Sequence, residues 1–290
     1  MAQRRIPESE LIINPNGRIY HLNLSPEMVA DTVIVVGDPD RVPKISCHFD
    51  KIFHQVSNRE LVTHTGELGG KHISVISSGM GTDNVELLMT ELDALVNVDF
   101  ESRTVRRKHR RLKVIRIGTS GCMQADIPLD SLLVSRAALG LDTLMSFYER
   151  HTREELSVVE NKIQRLLKLP FKPYFAQGSD RLFDLFGEEL HHGVTVTAPG
   201  FYAPQGREIR LKPAIGDFLS TLADTKTSFG RFTNFEMETA GYYAMGELLG
   251  HEMISLNALI ANRANQTFSK DHEQTVEQLI RLVLDRITYV

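Results

Sequence analysis

Short runs of β-branched and apolar residues, bounded by glycine or proline, alternate along the chain with stretches whose apolar positions recur every three or four residues. The first kind predicts strands at Thr32–Val36, Ile73–Ser77, Lys113–Ile117, Ser131–Ser135, Val194–Thr197 and Met253–Ala261. Several are continuously apolar, as in strands covered on both faces. The second kind predicts helices. Val85, Leu88, Leu92, Leu95 and Val96 follow Thr82-Asp83, two residues able to cap the free N–H groups of a helix start. Thr152-Arg153-Glu154-Glu155 has the capping-box pattern ahead of Leu156, Val159, Ile163, Leu166 and Leu167. Met237 to Gly250 and Gln274 to Ile287 give two more, the first closed by a glycine suited to a left-handed C-terminal residue. Strands alternating with helices predict an α/β fold with a mostly buried sheet. No repeat, low-complexity stretch or flexible linker divides the chain, which predicts a single domain.

With 290 residues, 42% of them hydrophobic, the chain can build a large core without disulfides or metal. Its two cysteines, Cys47 and Cys122, are too few for a secreted framework and are not spaced as a metal knuckle. A formal charge of -4 gives no global pull toward nucleic acid or an anionic membrane, so any anion site must come from local geometry. The N-terminus lacks the apolar run of a signal peptide and no stretch reads as a membrane span, so cytoplasm is the expected compartment. One composition shift stands out at Arg103 to Lys113, which holds Arg106, Arg107, Lys108, His109, Arg110 and Arg111. On an acidic chain it reads as a solvated loop insertion rather than a nucleic-acid patch.

Several chemistries lack their signatures. No phosphate loop ends in Gly-Lys-Ser/Thr, no Gly-x-Gly-x-x-Gly follows a strand, and Gly118-Thr119-Ser120-Gly121 is not a nucleophile elbow. The eleven histidines never take the spacing of a zinc helix, and His191-His192 reads as a surface pair.

Four segments instead place small residues beside an anion or sugar partner at predicted strand ends, where α/β sheets gather ligands. In Gly37-Asp38-Pro39-Asp40-Arg41, glycine lets a backbone N–H approach an anion and Arg41 adds a forked charge, although the string is also an ordinary turn. Arg116, inside the apolar run Val114-Ile115-Arg116-Ile117, needs a partner: a bound anion or a core carboxylate. With Thr119 it completes a phosphate cradle of Gly37, Arg41, Arg116 and Thr119. In Asn234-Phe235-Glu236-Met237-Glu238, read as opening a helix, Glu238 can accept from ribose hydroxyls while Met237 packs on the sugar, or the carboxylates can simply cap. In Phe201-Tyr202-Ala203-Pro204-Gln205-Gly206-Arg207, Phe201 offers a stacking face, the Gln205 amide matches the imide edge of uracil, and Arg207 adds donors suited to a departing anionic base. As a bare string this too is a surface turn.

Taken in order, these motifs resemble the nucleoside phosphorylase-I family, as do Tyr20-His21-Leu22-Asn23-Leu24, Arg59-Glu60, Ser77-Ser78-Gly79-Met80-Gly81 and Ile260-Ala261-Asn262-Arg263. The resemblance runs from about Tyr20 to the C-terminal helix, leaving residues 1–19 as an N-terminal extension and 20–290 as the phosphorylase domain. It implies a three-layer α/β/α fold with a central mixed, partly barrel-like sheet. It also implies phosphate binding by Gly37, Arg41, Arg116 and Thr119 with Arg59 from a neighbouring subunit. Ribose would be held by Met237, Glu238 and the neighbour's His21, and base by Phe201, Gln205 and Arg207 with Arg263 in support. The family's purine-cleaving members carry an aspartate as acid where this chain reads Ala261-Asn262-Arg263, so uridine and phosphate are the implied substrates. The shared site implies a homo-oligomer, a dimer or trimer of dimers. No cofactor is implied beyond phosphate as co-substrate, although Glu60 is kept from a monovalent-cation site whose Pro-Ser neighbours are replaced here by Asp83-Asn84.

Overall fold

The computed structural model of the chain describes residues 4–187 and 189–290. In chain order, β1 (Thr32–Val36) leads through a short α1 (Arg41–Ser46) to a three-stranded meander, β2 (Lys51–Asn58), β3 (Leu61–Leu68) and β4 (Lys71–Ser77). Then come α2 (Thr82–Asn97), the small hairpin β5 (Val98–Asp99) and β6 (Thr104–Val105), and the long strands β7 (Lys113–Cys122) and β8 (Leu132–Gly140). The elements α3 (Glu154–Leu167), β9 (Tyr174–Gln177), α4 (Asp180–Gly187) and β10 (His191–Thr197) follow. The chain closes with α5 (Phe218–Ala223), β11 (Lys226–Thr227), β12 (Gly230–Glu236), α6 (Thr239–Leu249), β13 (Glu252–Asn262), β14 (Thr267–Phe268) and α7 (His272–Ile287).

The main sheet runs β11-β12-β10-β8-β13-β7-β1-β4-β3-β2, with parallel and antiparallel pairs mixed. At one end β12 returns to pair antiparallel with β7, Asn234 opposite Cys122 and Phe235 opposite Gly121. That pairing closes β7, β13, β8, β10 and β12 into a five-stranded barrel, as the family resemblance implied. Strand β1 shows why three layers form. Val33 and Val35 pack with α2 and α6 through Val85, Leu88 and Tyr242. Ile34 and Val36 turn to the opposite face, onto Val42 and Ile45 of α1 and Leu279 and Val283 of α7. A third cluster joins α3 and α5 to the outer face of β10 and β12.

The structure departs from the sequence reading mostly where strands are not uniformly apolar. Strand β7 runs five residues past Ile117 because β13 pairs with it from Lys113 to Cys122. Glycine there is no terminator: a Cβ on Gly121 would lie 2.6 Å from the Phe235 ring. The segment taken as a helix start is the end of β12, and α6 begins only at Thr239, with Gly250 left-handed after it as expected. At α3 the capping box does not form; Arg153 occupies the cap position and bonds to Glu155 and Gln177 instead. Likewise Gly81, not Thr82 or Asp83, precedes the first turn of α2.

The basic stretch also divides. Residues Arg106 to Arg111 are exposed, as expected, with Arg106 near Asp99 and Arg110 bonded to Asp31. Arg103 is buried: its guanidinium donates to the carbonyls of Ile6, Pro7 and Leu11 and so ties down the residues ahead of Tyr20.

Candidate active site

A cavity of about 690 Å³ opens where the carboxyl ends of the central strands converge. Gly37 follows β1, Gly79 and Met80 follow β4, Thr119 and Ser120 lie near the end of β7, Glu236 ends β12, and Ile260 and Ala261 lie near the end of β13. Phe201, Gln205 and Arg207 reach it from the segment after β10. Ten residues singled out from the sequence line this one space: Gly37, Arg41, Glu60, Arg116, Thr119, Phe201, Gln205, Arg207, Met237 and Glu238.

At its deepest point Arg116 is 4% exposed. Its Nη2 donates to Glu238 Oε2 at 2.6 Å and lies 3.0 Å from Glu236 Oε2, while Nη1 donates to Asn257 Oδ1 at 3.1 Å and Ser255 Oγ at 3.3 Å. The partner that a buried arginine requires is therefore a pair of core carboxylates. Gly118 makes this packing fit, since a Cβ at that position would stand 2.0 Å from Arg116 Nη1. Burial works against the guanidinium, yet Glu236 and Glu238 outweigh it and hold its pKa above the ordinary value. The cluster still carries one cation against two carboxylates, which leaves Glu238 with acceptor capacity for a ligand. Burial pushes the Glu238 carboxyl up, Arg116 opposes that, and Glu236 adds to it. A backbone N–H from Gly81 fixes its other oxygen at 2.7 Å.

Glu236 had no role of its own in the sequence reading. It is the pivot of this corner, accepting from the Thr197 hydroxyl and from the backbone N–H groups of Glu238 and Thr239. The signal was present as the first carboxylate of Glu236-Met237-Glu238, but a helix-opening reading hid that it ends a buried strand. Arg41 lines the same end of the cavity. Its Nη1 donates to the Ile117 carbonyl at 3.1 Å, and burial lowers its pKa, with Asp38 working the other way. An arginine so placed stays charged.

The opposite end of the cavity is more open. Gln205 ends a 3-10 turn, Ala203–Gln205, closed by Gly206 at φ 68. Arg207 Nη1 donates to Gln205 Oε1 at 2.5 Å and to the Phe201 carbonyl at 2.6 Å, and its guanidinium lies 3.8 Å from the Phe201 ring centroid. Burial first, then the nearby Arg263, lowers the Arg207 pKa. Arg263 does not line the cavity. It donates to the carbonyls of Gln205 and Gly206, both at 3.2 Å, and braces the turn from behind. The carboxylates that do line the cavity sit at the other end, Glu236 and Glu238 with Arg116, Glu60 against Gly79, and Asp38 near Arg41. Asn262 is buried outside it, donating to the Gln124 and Ile127 carbonyls.

Two predicted residues stand apart from this cavity. His21 Nδ1 is 2.7 Å from Glu91 Oε1, and the same carboxylate accepts the backbone N–H of His21 and Leu22. Arg59, left-handed at φ 55, lies over the Tyr20 ring. Asn58 links the two by donating to the His21 carbonyl.

A partial barrel whose strand ends gather arginines, carboxylates and an amide around one cavity defines an α/β protein with a polar ligand site. Residues 31–288 match the family described as the phosphorylase superfamily. The chain belongs to that family. It is 30% identical to a uridine phosphorylase of Thermococcus kodakarensis over 89% of this chain and 82% of the relative. It is 27% identical to a uridine phosphorylase of Escherichia coli over 92% of this chain and 96% of the relative. Among solved structures it is similar to a Trypanosoma brucei nucleoside phosphorylase described as showing uridine phosphorylase activity. That similarity has a TM-score of 0.88 and 27% identity, covering 97% of this chain and all of the other.

Proposed function

We propose that the chain is a uridine phosphorylase, a pentosyltransferase that uses inorganic phosphate to split uridine reversibly into uracil and ribose 1-phosphate. One observation carries this reading: a single cavity holds Arg41 and Arg116 beside Glu238 at one end and Gln205 with Arg207 at the other. Phosphate, held by Gly37, Arg41, Arg116 and Thr119, lies beneath the anomeric carbon of a ribose whose hydroxyls face Glu238 and whose apolar side rests on Met237. As the glycosidic bond stretches, the sugar gains oxocarbenium character and the base becomes anionic. The donors of Gln205 and Arg207 stabilise that leaving uracil, and no protein nucleophile takes part. With its carboxylates gathered at the sugar end, the cavity offers, among the described residues, no acid placed to protonate a purine.

His21 and Arg59 do not line their own cavity and are joined by Asn58 and Tyr20 into one patch. We assign this patch to the site of a second copy, so that the active form is a homo-oligomer, a dimer or trimer of dimers with shared sites. Phosphate is the co-substrate, and Glu60 is the candidate ligand for a monovalent cation.

The test follows free base from uridine, thymidine, inosine and adenosine, each with and without phosphate. Phosphate-dependent release from uridine, with inosine and adenosine inert, is expected. Release without phosphate, or from inosine alone, overturns the reading. Gln205→Ala should cut uridine turnover about a hundredfold with the fold intact; equal loss of both would make Gln205 structural.

A further inference from the structure

The barrel has a polar interior. Each of its five strands contributes at least one buried polar side chain: Arg116 and Ser120 from β7, Asn257 from β13, Ser135 from β8, Thr195 from β10 and Asn234 from β12. They form a continuous hydrogen-bonded chain. Asn257 Nδ2 donates to Ser135 Oγ at 3.3 Å, Ser135 and Thr195 share a bond of 2.6 Å, Thr195 donates to Asn234 Oδ1 at 2.9 Å, and Asn234 Nδ2 donates to Ser120 Oγ at 2.9 Å. Its two ends, Arg116 and Ser120, both line the cavity.

The direction of the bonds follows from the Arg116 end. An arginine only donates, so the group of Asn257 that meets Arg116 must be its carbonyl oxygen, and the amide nitrogen then points to Ser135. Ser135, which accepts from Asn257, passes its own proton to Thr195, and Thr195 then donates to Asn234 Oδ1. One amide orientation and one set of hydroxyl protons satisfy the whole chain. Such a closed set resists rotation at any one member, because turning one group strands a buried donor or acceptor elsewhere.

From this geometry we infer that Asn257 is a positioning residue for the proposed phosphorolysis, fixing through its Oδ1 the plane of the Arg116 guanidinium that meets phosphate. The carboxylates hold Nη2 alone, and a guanidinium pinned at one nitrogen can pivot about it. Asn257, with Ser255 beside it, holds Nη1 over Gly118 and removes that freedom. The inference rests on the function proposed above but can be read without turnover.

The experiment compares wild type with Asn257→Leu, which keeps the side-chain size but removes the acceptor. Expected is a rise of about tenfold in KM for phosphate against less than about threefold in KM for uridine, as suits a lost bond to a charged group. In parallel, the upward shift of Tm that phosphate gives the wild type should largely vanish in the variant. A lowered Tm with both KM values and the phosphate shift preserved would make Asn257 a purely structural residue and overturn the inference. If Asn257→Leu does not fold, Ser255→Ala removes the lesser Nη1 contact, and about a threefold rise in KM for phosphate is expected, with no rise counting against the inference. A wild type that is stabilised by phosphate yet cleaves no uridine would sink the function while leaving the thermal-shift comparison decisive for Asn257.

Discussion

The two ends of the cavity are built differently. At the anion end Arg116, Glu236 and Glu238 are each at most 6% exposed, and their bonds run into the barrel interior and to the start of α2. At the base end Phe201 is 52% and Tyr202 59% exposed, and the segment depends on a single 3-10 turn, an arginine stacked on its own phenylalanine, and Arg263 behind. The contrast matches the chemistry proposed for each end. Phosphate and the oxocarbenium sugar demand charges fixed before the reaction, since reorganising them would cost part of the barrier. A base held there, as proposed, would have to enter, stack and leave, and Arg207 would have to share the Phe201 face with it, which suits an end that keeps surface exposed.

The sharpest way to break the contrast is Gly118→Ala. The new methyl would sit 2.0 Å from Nη1 and 2.6 Å from Cζ of Arg116, on a strand that β13 pairs at this position. Arg116 must leave, and Glu236 and Glu238 lose their cation while buried, a cost of about 3–5 kcal/mol. Phosphorolysis should fall at least about a hundredfold in kcat/KM, with a clearly lower Tm. Turnover near that of the wild type would show that the anion end tolerates rearrangement and is not fixed.

That glycine also marks where sequence reasoning stops. The need of Arg116 for a partner follows from one charge in an apolar run, and Glu238 was already named. Of the two partners weighed for it, a ligand and a core carboxylate, the fold supplies the carboxylates, Glu236 and Glu238, and still leaves the arginine on the cavity wall. Strands Thr32–Val36 and Ile73–Ser77 were legible since both faces meet helices. Among the barrel strands β13 was legible almost whole, across Asn257, whereas β7 and β8 were cut short at Gly118-Thr119 and Ser135-Arg136, β10 lost its polar start at His191-His192, and β12, with Thr233-Asn234 inside it, was missed. The β2–β3 hairpin gave no apolar run at all, β2 alternating only between exposed and half-buried positions. His21 and Arg59 carried no local signal; only the family resemblance brought them forward.

A smaller effect should follow from Glu236→Gln, which keeps the shape but removes the charge beside Glu238. Burial, and then Glu236, hold the Glu238 carboxyl above the usual carboxylate range. In its proposed role of accepting from ribose hydroxyls Glu238 must be ionised, so activity should be lost as pH falls through that raised value. Without Glu236 the value drops, and the acid limb of kcat/KM should move to lower pH, with an overall loss of about tenfold from weaker holding of Arg116. Stability carries the matching sign. A carboxyl raised on folding contributes stability that is present below its unfolded pKa and lost as pH rises through the folded one. Tm measured across that window should decline less steeply in Glu236→Gln than in the wild type. An acid limb that stays in place would detach Glu238 from the pH profile.

The mildest change tests the base end on equal terms, with another glycine. Gly206 is left-handed at φ 68, donates its N–H to the Ala203 carbonyl and offers its own carbonyl to Arg263. Unlike Gly118 it is not crowded, since a Cβ would find its nearest atom, Leu219 Cδ1, at 3.5 Å. Gly206→Ala therefore meets only the backbone cost of a left-handed alanine, about 1–2 kcal/mol. Because the turn is held at both ends and its outer face is free, part of that strain can relax by a small shift of Ala203 and Pro204 toward solvent. KM for uridine should rise about threefold or less and KM for phosphate should not move. If instead Gly206→Ala matches Gly118→Ala in lost turnover, the base segment is as rigidly determined as the arginine cluster, and exposure at Phe201 and Tyr202 no longer signals adaptability.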